Sequence, residues 1–255
     1  MDLMDFEQWV KKELKIDLSA YKSNQLHRRI NSLMSRVGAK SVDDYVKMLK
    51  SDPAQKQKFL DFITINVTEF FRNPDIFKEF EILLKKYLQK ENRALNLWSA
   101  ACSIGAEPYS TAMILKEMPY KFNHKILATD IDNTILTKAA KGVYSKDEVK
   151  NIDPNLLKKY FENRGEEFSI CSDIKKMVNF KKHDLILDSY SKDLDVIICR
   201  NVVIYFNQDV KDNIYRKFSD SLKKGGLLFV GATESIYNYR EFGFEKASTF
   251  IYRKL

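Results

Sequence analysis

The stretch Leu97–Ser110 reads LWSAACSIGAEPYS and consists of an apolar run, a turn of small residues and the start of a helix. Open α/β sheets bind nucleotide-like ligands at such corners, because small side chains let a ligand approach the main chain at the carboxyl end of a strand. Only Gly105 remains of the pattern GxGxxG, and binding a diphosphate requires the other glycines. The stretch therefore predicts a nucleotide-type α/β sheet and disfavours a dinucleotide ligand.

Apolar runs and helical patterns alternate along the rest of the chain. The predicted strands are Ala94–Ser99, Lys125–Asp130, Met177–Phe180, Leu194–Cys199, Leu227–Gly231 and Thr249–Arg253, and the predicted helices are Glu107–Glu117, Asn133–Lys141 and Gln208–Leu222. Strands separated by helices pair in parallel through right-handed crossovers. The last strand follows its predecessor closely, so an antiparallel direction is open to it.

The chain changes character near residue 73. Before it, apolar residues recur at helical spacing, for example across Leu26–Val37. Asn73-Pro74-Asp75 then marks a new helix start, with a cap followed by proline at the first helical position. We expect an all-α domain over residues 1–73 and an α/β domain over residues 74–255.

Composition and length allow this organisation. The 255 residues are 44% hydrophobic, which is enough for a sizeable core. Three cysteines (Cys102, Cys171 and Cys199) show no CxxC spacing, so we expect a reducing compartment and neither a zinc site nor a disulfide framework. Met1–Leu14 lacks the apolar run of a signal peptide, and no stretch approaches the roughly 18 apolar residues of a spanning helix. These features predict a cytoplasmic protein without a metal and without direct membrane insertion.

The formal net charge is +8, but lysine and arginine are mostly mixed with acidic residues, as on a solvated surface. The segment Leu18–Val42 is the exception, because it contains no acidic residue. We call its basic residues the basic set; they are Lys22, Arg28, Arg29, Arg36 and Lys40. A docking face for an acidic partner and a merely solvated helix face both fit this pattern.

Two acidic residues lie where a ligand of the sheet is expected. Asp130 ends a predicted strand 25 residues after Gly105, so its carboxylate is placed to accept hydrogen bonds from two ribose hydroxyls. Alternatively, it caps the following helix, although Asp132 or Asn133 would serve equally well. Glu107 begins a helix, where it stabilises the helix dipole and could also attract the cationic part of a ligand.

Polar residues also follow the apolar strand that ends at Cys199. Arg200 and Asn201 come directly after it, and a charge beside a buried strand is costly unless it is paired or used. Tyr205, four residues beyond Arg200, can point into the same crevice or pack between helix and sheet.

Five motifs resemble, in order, those of CheR-type chemotaxis receptor methyltransferases. They are TINVTEFFR (Thr64–Arg72), WSAACSIGAEPYS (Trp98–Ser110), ATDID (Ala128–Asp132), CRNVVIYF (Cys199–Phe206) and GGLLF (Gly225–Phe229). The resemblance covers the chain from the helical amino-terminal part to the end. It implies a Rossmann-like methyltransferase sheet that uses S-adenosylmethionine and releases S-adenosylhomocysteine. The implied acceptors are glutamates of chemoreceptor cytoplasmic signalling helices, which become γ-glutamyl methyl esters.

The resemblance also implies which positions bind the methyl donor. These positions are Asn66, Thr68, Arg72, Glu107, Asp130, Asp184, Leu185, Arg200 and Asn201. Two positions depart from the family pattern: Asp184 stands where the pattern has Asn, and Ala106 where it has Glu.

The implied chemistry needs few catalytic groups. A glutamate acceptor is ionised near neutral pH, with an ordinary pKa of about 4.3, so no general base is required and we assign no role to His27, His124 or His183. Arg72 is our candidate for orienting the acceptor carboxylate, because a guanidinium grips carboxylates in a fixed fork. Tyr205 would add a hydrogen bond or a wall beside the methyl group.

Alternating segments at Glu167–Cys171 and Met177–Phe180 predict a small antiparallel β insertion over residues 144–180. In the resembled family such a subdomain can bind a receptor's carboxyl-terminal peptide. The turn between Phe161 and Phe168 contains only Gly165, whereas tethering members carry a longer glycine-rich loop. We therefore expect weak or absent tethering.

Two other functions stay open at this stage. One is a methyltransferase of another substrate such as RNA, which only the positive charge favours, since Leu18–Val42 contains a single aromatic residue, Tyr21. The other is a donor-binding regulatory module without catalysis. Thr64–Arg72 favours the receptor methyltransferase, because a generic methyltransferase has no reason to carry it, and nucleic acid is not expected as a partner.

Overall fold

The computed structural model describes residues 1–64 and 68–255. The chain divides into two compact units. The first consists of Met1–Asn66 with Tyr205–Asp212, and the second of Val67–Ile204 with Asn213–Leu255. The sequence boundary expected at residue 73 therefore differs from this division, because the segment Thr68–Arg72 packs within the second unit and Tyr205–Asp212 within the first.

The first unit is helical. Its helices are α1 (Leu3–Leu14), α2 (Ser23–Arg36), α3 (Val42–Ser51) and α4 (Pro53–Thr64), with a short 3₁₀ turn at Leu18–Ala20. Ser41 caps α3 by accepting a hydrogen bond from the Asp44 main-chain N–H at 3.1 Å, and Gly38 takes the left-handed conformation that follows α2. The rings of Phe6, Tyr45 and Phe59 form the aromatic centre of this unit, with centroid distances between 5.7 and 6.2 Å.

The second unit contains a seven-stranded sheet. Its strands are β1 (Asn96–Ala100), β2 (Lys125–Asp130), β6 (Val178–Lys182), β7 (Leu194–Cys199), β8 (Leu222–Val230), β9 (Phe244–Ser248) and β10 (Ile251–Lys254). Their order in the sheet is β6-β2-β1-β7-β8-β10-β9. The pairs from β6 to β8 are parallel, whereas β10 runs antiparallel to both neighbours. The predicted α/β sheet is thus confirmed, and the last strand takes the antiparallel direction.

Helices connect these strands. They are α5 (Pro74–Glu91), α6 (Ala106–Glu117), α7 (Asn133–Lys141), α8 (Lys146–Val149), α9 (Pro154–Tyr160), α10 (Ser172–Lys175) and α11 (Gln208–Ser221), and 3₁₀ turns occur at Val203–Tyr205 and Tyr239–Phe242. No helix within residues 1–64 and 68–255 has the length and apolar character needed to cross a bilayer.

The strand order locates the ligand-binding edge. After β1 the chain builds outward through β2 to β6, and it then returns to place β7 on the other side of β1. Such a reversal opens a crevice at the carboxyl ends of the two strands that flank it. The residues that follow β1, β2 and β7 therefore share one edge of the sheet.

A small antiparallel sheet is inserted between α7 and β6. Its strands are β3 (Val143–Ser145), β4 (Phe161–Arg164) and β5 (Glu167–Ile170), in the order β3-β5-β4. The expectation that Met177–Phe180 belongs to this insertion is wrong, because β6 pairs in parallel with β2 through Val178 and Ile126. The insertion instead takes its third strand from Val143–Ser145.

Candidate active site

The turn after β1 has an unusual main-chain path. Ala101, Ser103 and Gly105 all have positive φ angles, of 65°, 50° and 84°. At Gly105 a Cβ atom would also approach the Ala139 Cβ and the Phe180 ring to 3.1 Å, so both conformation and space require glycine. The turn thereby directs the Ser103 N–H toward the side chain of Asp130, the last residue of β2.

Asp130 receives that hydrogen bond and is buried. Its Oδ2 accepts from the Ser103 N–H at 2.9 Å and its Oδ1 from the Asp132 N–H at 3.1 Å. Burial raises the pKa of Asp130, although main-chain N–H donors oppose the rise. Asp132 caps α7 instead, accepting from the Thr134 N–H at 2.8 Å, so the capping alternative for Asp130 is wrong.

Glu107, in the first turn of α6, and Arg200, directly after β7, form a buried pair. The Glu107 Oε2 lies 3.7 Å from the Arg200 Nη1, and its Oε1 accepts a hydrogen bond from the Ser99 hydroxyl at 2.8 Å. Burial raises the pKa of Glu107 to about 7, although Arg200 and Ser99 both lower it. This carboxylate is only partly compensated by the protein, which is the condition for attracting a cationic ligand.

Arg200 is clamped by aromatic rings and main chain. Its guanidinium lies over Phe229 at 4.6 Å and Phe77 at 5.1 Å. Its Nη2 donates to the Arg72 carbonyl at 2.8 Å and to the Asn73 Oδ1 at 3.0 Å. Arg72 and Asn73 belong to the segment Thr68–Asn73, which we call the residue-72 segment. These contacts hold it beside the Glu107–Arg200 pair.

The same segment is anchored on its other side. The Phe71 N–H donates to the Ser110 hydroxyl of α6 at 3.0 Å, and Phe71 and Asn73 both have positive φ angles. Phe70 is fully buried, with its ring centroid 4.9 Å from that of Tyr144. Arg72, partly exposed between these anchored residues, contributes to lowering the pKa of Glu107, which places its positive charge near the buried carboxylate.

Comparisons with known proteins identify the family of the chain. Residues 66–251 match the family model described as the SAM-binding domain of CheR methyltransferases, and residues 1–64 match the all-alpha domain of the same family. The chain belongs to the CheR methyltransferase family. It is therefore an S-adenosylmethionine-dependent methyltransferase, and the family predicted from the five motifs is confirmed.

Curated relatives cover almost the whole chain. A chemotaxis protein methyltransferase of Listeria innocua is 36% identical over 254 residues, covering 99% of this chain and 97% of the relative. The Borreliella burgdorferi protein of the same name is 37% identical over 235 residues, covering 87% and 83%. That of Escherichia coli is 33% identical over 232 residues, covering 86% and 79%.

The residues of this edge fit the methyl donor. S-adenosylmethionine carries ribose hydroxyls, an ammonium, a sulfonium and a carboxylate, and the edge offers buried Asp130 and Glu107 together with Arg200. In addition, the Ser103 Oγ and the Arg200 Nε are buried and have no hydrogen-bond partner among the described residues. Such orphaned polar atoms are expected where a polar ligand completes the site.

Four further predicted donor positions are Asn66, Thr68, Asp184 and Leu185. Asn66 falls outside the described residues, and Thr68 is partly buried at the start of the anchored segment. Asp184 uses its Oδ1 locally, accepting from the Ile186 N–H at 2.7 Å, and the Leu185 carbonyl accepts from the Tyr190 hydroxyl at 2.6 Å. Their donor roles stay predictions.

Tyr205 lies in the first unit, where it joins part of the basic set. Its carbonyl accepts from the Lys22 N–H at 3.0 Å. The residue lines a cavity of about 190 Å³ with an apolar floor and a basic rim; the other lining residues are Tyr21, Lys22, Gln25, Leu26, Arg28, Arg29 and Ile63.

The basic set is not uniform. Arg29 is half-buried, its Nη2 donates to the Phe62 carbonyl, and its guanidinium lies 4.6 Å from the centroid of the Phe62 ring. Lys22, Arg28, Arg36 and Lys40 are exposed. Arg29 therefore has a structural role in the helical unit, whereas the other four side chains face solvent.

Sequence reasoning missed Glu234. This residue lies four positions beyond the last residue of β8, is buried, and accepts hydrogen bonds from the Asn201 and Val202 N–H groups at 2.6 and 2.9 Å. A weaker form of the signal that singled out Arg200, a charged residue within a few positions of the end of an apolar strand, could have found Glu234.

His124 binds the main chain, and the cysteines are not joined in disulfides. His124 is buried, and its Nδ1 accepts from the Leu95 N–H at 3.2 Å, while burial lowers its pKa. The three cysteines are free thiols. Within residues 1–64 and 68–255, no three His, Cys, Asp or Glu side chains form a group suited to a metal ion.

Proposed function

We propose that this methyltransferase esterifies the side-chain carboxylates of glutamates on the cytoplasmic signalling helices of chemoreceptors. The observation that carries the proposal is the pair of buried carboxylates, Glu107 and Asp130, at the edge where the sheet order reverses, inside a chain of the CheR family. The names of the curated relatives support the chemotactic acceptor. The free cysteines support a cytoplasmic location.

In the proposed reaction, a carboxylate oxygen of the acceptor forms a bond to the donor's methyl carbon while the bond from that carbon to sulfur breaks. The donor supplies an electrophilic methyl group on a sulfonium. The positive sulfonium and the negative carboxylate yield a neutral thioether and a neutral ester, so no proton moves. A general base is therefore unnecessary, and catalysis depends on alignment and exclusion of water.

Donor binding is assigned to the buried groups of the second unit. Asp130 would accept from ribose hydroxyls, and the partly compensated Glu107 would attract the cationic end of the donor. Asn66, Thr68, Asp184, Leu185 and Asn201 complete the proposed set. Arg200 contributes by holding Glu107 and the residue-72 segment in place.

Acceptor alignment is assigned to Arg72. Its main chain is held by Arg200, and its neighbours Phe70 and Phe71 are anchored to the second unit, so the position of the guanidinium stem is well defined. A guanidinium is suited to a planar carboxylate acceptor. Tyr205 remains a proposed second contact to the acceptor.

Docking of the receptor is assigned to the basic rim of the first unit. The exposed Lys22 and Arg28 border the cavity that Tyr205 also lines. An acidic signalling helix would be attracted to this rim by long-range electrostatics. Tethering through the small β sheet is proposed to be weak or absent, because β4 and β5 are joined by only Gly165 and Glu166.

Transfer of a labelled methyl group to receptor fragments tests this function. We expect label on the fragments and its release as methanol under mild base, because carboxyl methyl esters are base-labile. Replacing the candidate acceptor glutamates by alanine serves as the control and should abolish labelling. Base-stable label, label on RNA, or donor binding without transfer to any fragment would contradict the proposal.

A further inference from the structure

Glu234 ties together the ends of two neighbouring strands. It follows β8, and its Oε2 accepts from the Gly231 N–H at 2.8 Å and from the Asn201 N–H at 2.6 Å. Its Oε1 accepts from the Val202 N–H at 2.9 Å. Both carboxylate oxygens are thus occupied by main-chain donors, and two of these donors belong to the turn that follows β7.

The carboxylate occupies a space that glycine leaves open. A Cβ at Gly231 would lie 2.3 Å from the Glu234 Oε2 and 2.9 Å from the Asn201 main-chain nitrogen. The φ angle of Gly231 is not positive, so its lack of a side chain is a matter of space rather than of conformation. Gly231, Glu234 and Asn201 therefore form one packed unit.

This unit supports an unfavourable main-chain conformation. Asn201 has a φ angle of 60°, in the left-handed region that few non-glycine residues other than asparagine and aspartate adopt. Such a conformation persists when its surroundings over-determine it, and such residues cluster at functional sites. Here two charge-assisted hydrogen bonds from consecutive N–H groups to one buried carboxylate supply that constraint.

Burial of a carboxylate costs free energy unless hydrogen bonds compensate it, and here the compensating donors are main-chain N–H groups. Glu234 is 4% exposed, and burial raises its pKa while the N–H groups of Asn201, Gly231, Val202 and Ile204 lower it. Three of these N–H groups, those of Asn201, Val202 and Ile204, belong to the turn that begins directly after Arg200. The orientation of Asn201 therefore depends on a residue 33 positions away.

We infer that Glu234 is a positioning residue for donor binding, which acts by holding the Asn201 turn at the carboxyl end of β7. The inference rests on the proposed function, in which Asn201 binds the donor. The ligand concerned is S-adenosylmethionine or its product. Glu234 itself is expected to touch neither.

Glu234→Gln tests this inference in the full-length chain. The substitution keeps the shape, but the amide N–H₂ faces at least one main-chain donor, so the turn loses its constraint. We expect calorimetry with S-adenosylhomocysteine to show affinity lowered by about 10-fold or more, with the KM for receptor fragments changed by less than about twofold. Gly231→Ala, which displaces the carboxylate, should act in the same direction.

Asp195→Asn is the matched control. Asp195 is a fully buried carboxylate at the opposite end of β7, where it accepts from the Asn96 N–H at 2.8 Å and from Arg93. Its replacement should lower the melting temperature and leave the affinity for S-adenosylhomocysteine unchanged. Glu234→Asp keeps the charge, so its affinity for S-adenosylhomocysteine should lie between those of the unmodified protein and Glu234→Gln. This variant provides a second measurement if Glu234→Gln folds poorly.

A double variant separates this inference from the proposed function. If Glu234 acts through Asn201, then Glu234→Gln combined with Asn201→Ala should bind S-adenosylhomocysteine no more weakly than Asn201→Ala alone. Wild-type affinity in folded Glu234→Gln and Gly231→Ala would overturn the inference while leaving the donor site intact. Wild-type affinity in Asn201→Ala would remove Asn201 from the proposed donor site, and weakening by Glu234→Gln alone would then overturn the route through Asn201.

Discussion

Among single residues, Glu107 links burial to pH dependence. Its pKa rises from the ordinary value of about 4.3 to about 7, mainly because of burial. Between these pH values the folded protein keeps a proton that the unfolded chain has lost. Glu107 therefore makes the free energy of unfolding fall as the pH rises through this window.

Donor binding should shift this equilibrium. A cationic ligand favours the ionised carboxylate, so S-adenosylmethionine binding near pH 7 should release part of a proton from Glu107. Calorimetry in two buffers of different ionisation enthalpy measures this release, and Glu107→Gln is the control that removes it. The same binding enthalpy in both buffers for the unmodified protein would show that Glu107 does not meet the cationic part of the donor.

Arg72 should affect turnover more than donor affinity. If its guanidinium aligns the acceptor carboxylate, Arg72→Ala should lower kcat by roughly 100-fold and change the Kd of S-adenosylmethionine by less than about threefold. Arg72→Lys should recover only part of the rate, because an ammonium lacks the planar fork. Equal losses of rate and donor affinity would make Arg72 a donor ligand only.

Within the elements, the turn between β1 and α6 depends on Gly105. Gly105→Ala should lower the free energy of unfolding by about 2–4 kcal/mol, because it combines a left-handed conformation with close contacts to Ala139 and Phe180. Gly165→Ala is the matched control, since Gly165 has a φ angle of 83° and nothing within 4 Å of its Cβ position, so it should cost about 1–2 kcal/mol. Urea titration of both variants measures the difference. Equal costs would show that space around Gly105 is not limiting.

The elements also show which patterns are readable in a sequence. β2 and β7 have the bounds expected from their apolar runs, because strands buried on both faces need continuous apolar residues. β9 has two exposed residues, Glu245 and Lys246, and lies at the edge of the sheet beside β10, so its sequence carries no such run. Met177–Phe180 was compatible with either sheet, and only its pairing with β2 decided between them.

For the whole molecule, the basic set predicts an effect of ionic strength. Lys22→Glu combined with Arg28→Glu reverses two exposed charges at the cavity rim, while Arg29 is left in place because it binds the Phe62 carbonyl. The double variant should methylate receptor fragments roughly 3- to 10-fold more slowly at low salt. The deficit should shrink as the Debye length falls from about 10 Å at 0.1 M toward 3 Å at 1 M.

The control for this experiment has the same change in net charge. Lys12→Glu combined with Lys47→Glu reverses two exposed lysines of the helical unit that do not line the cavity. We expect it to leave the rate at low salt nearly unchanged. If both double variants slow methylation equally, the net charge of the protein and not the cavity rim sets the encounter rate. If neither variant slows methylation, charge has no effect on the encounter. Either result would contradict the docking proposal.

The sequence by itself determined the family, the α/β sheet and the strand ends at which the proposed site residues lie. Periodicity and small-residue turns are local properties, so the strand ends at Asp130 and Cys199 were readable from neighbours along the chain. Tertiary structure decided which side chains and main-chain groups at those positions contact one another. Glu107 meets Arg200 at 3.7 Å, and Asn201 meets Glu234 across 33 residues, because strand order brings distant segments to one edge. Burial then sets the pKa of each carboxylate, and burial depends on the packed neighbours rather than on the local sequence.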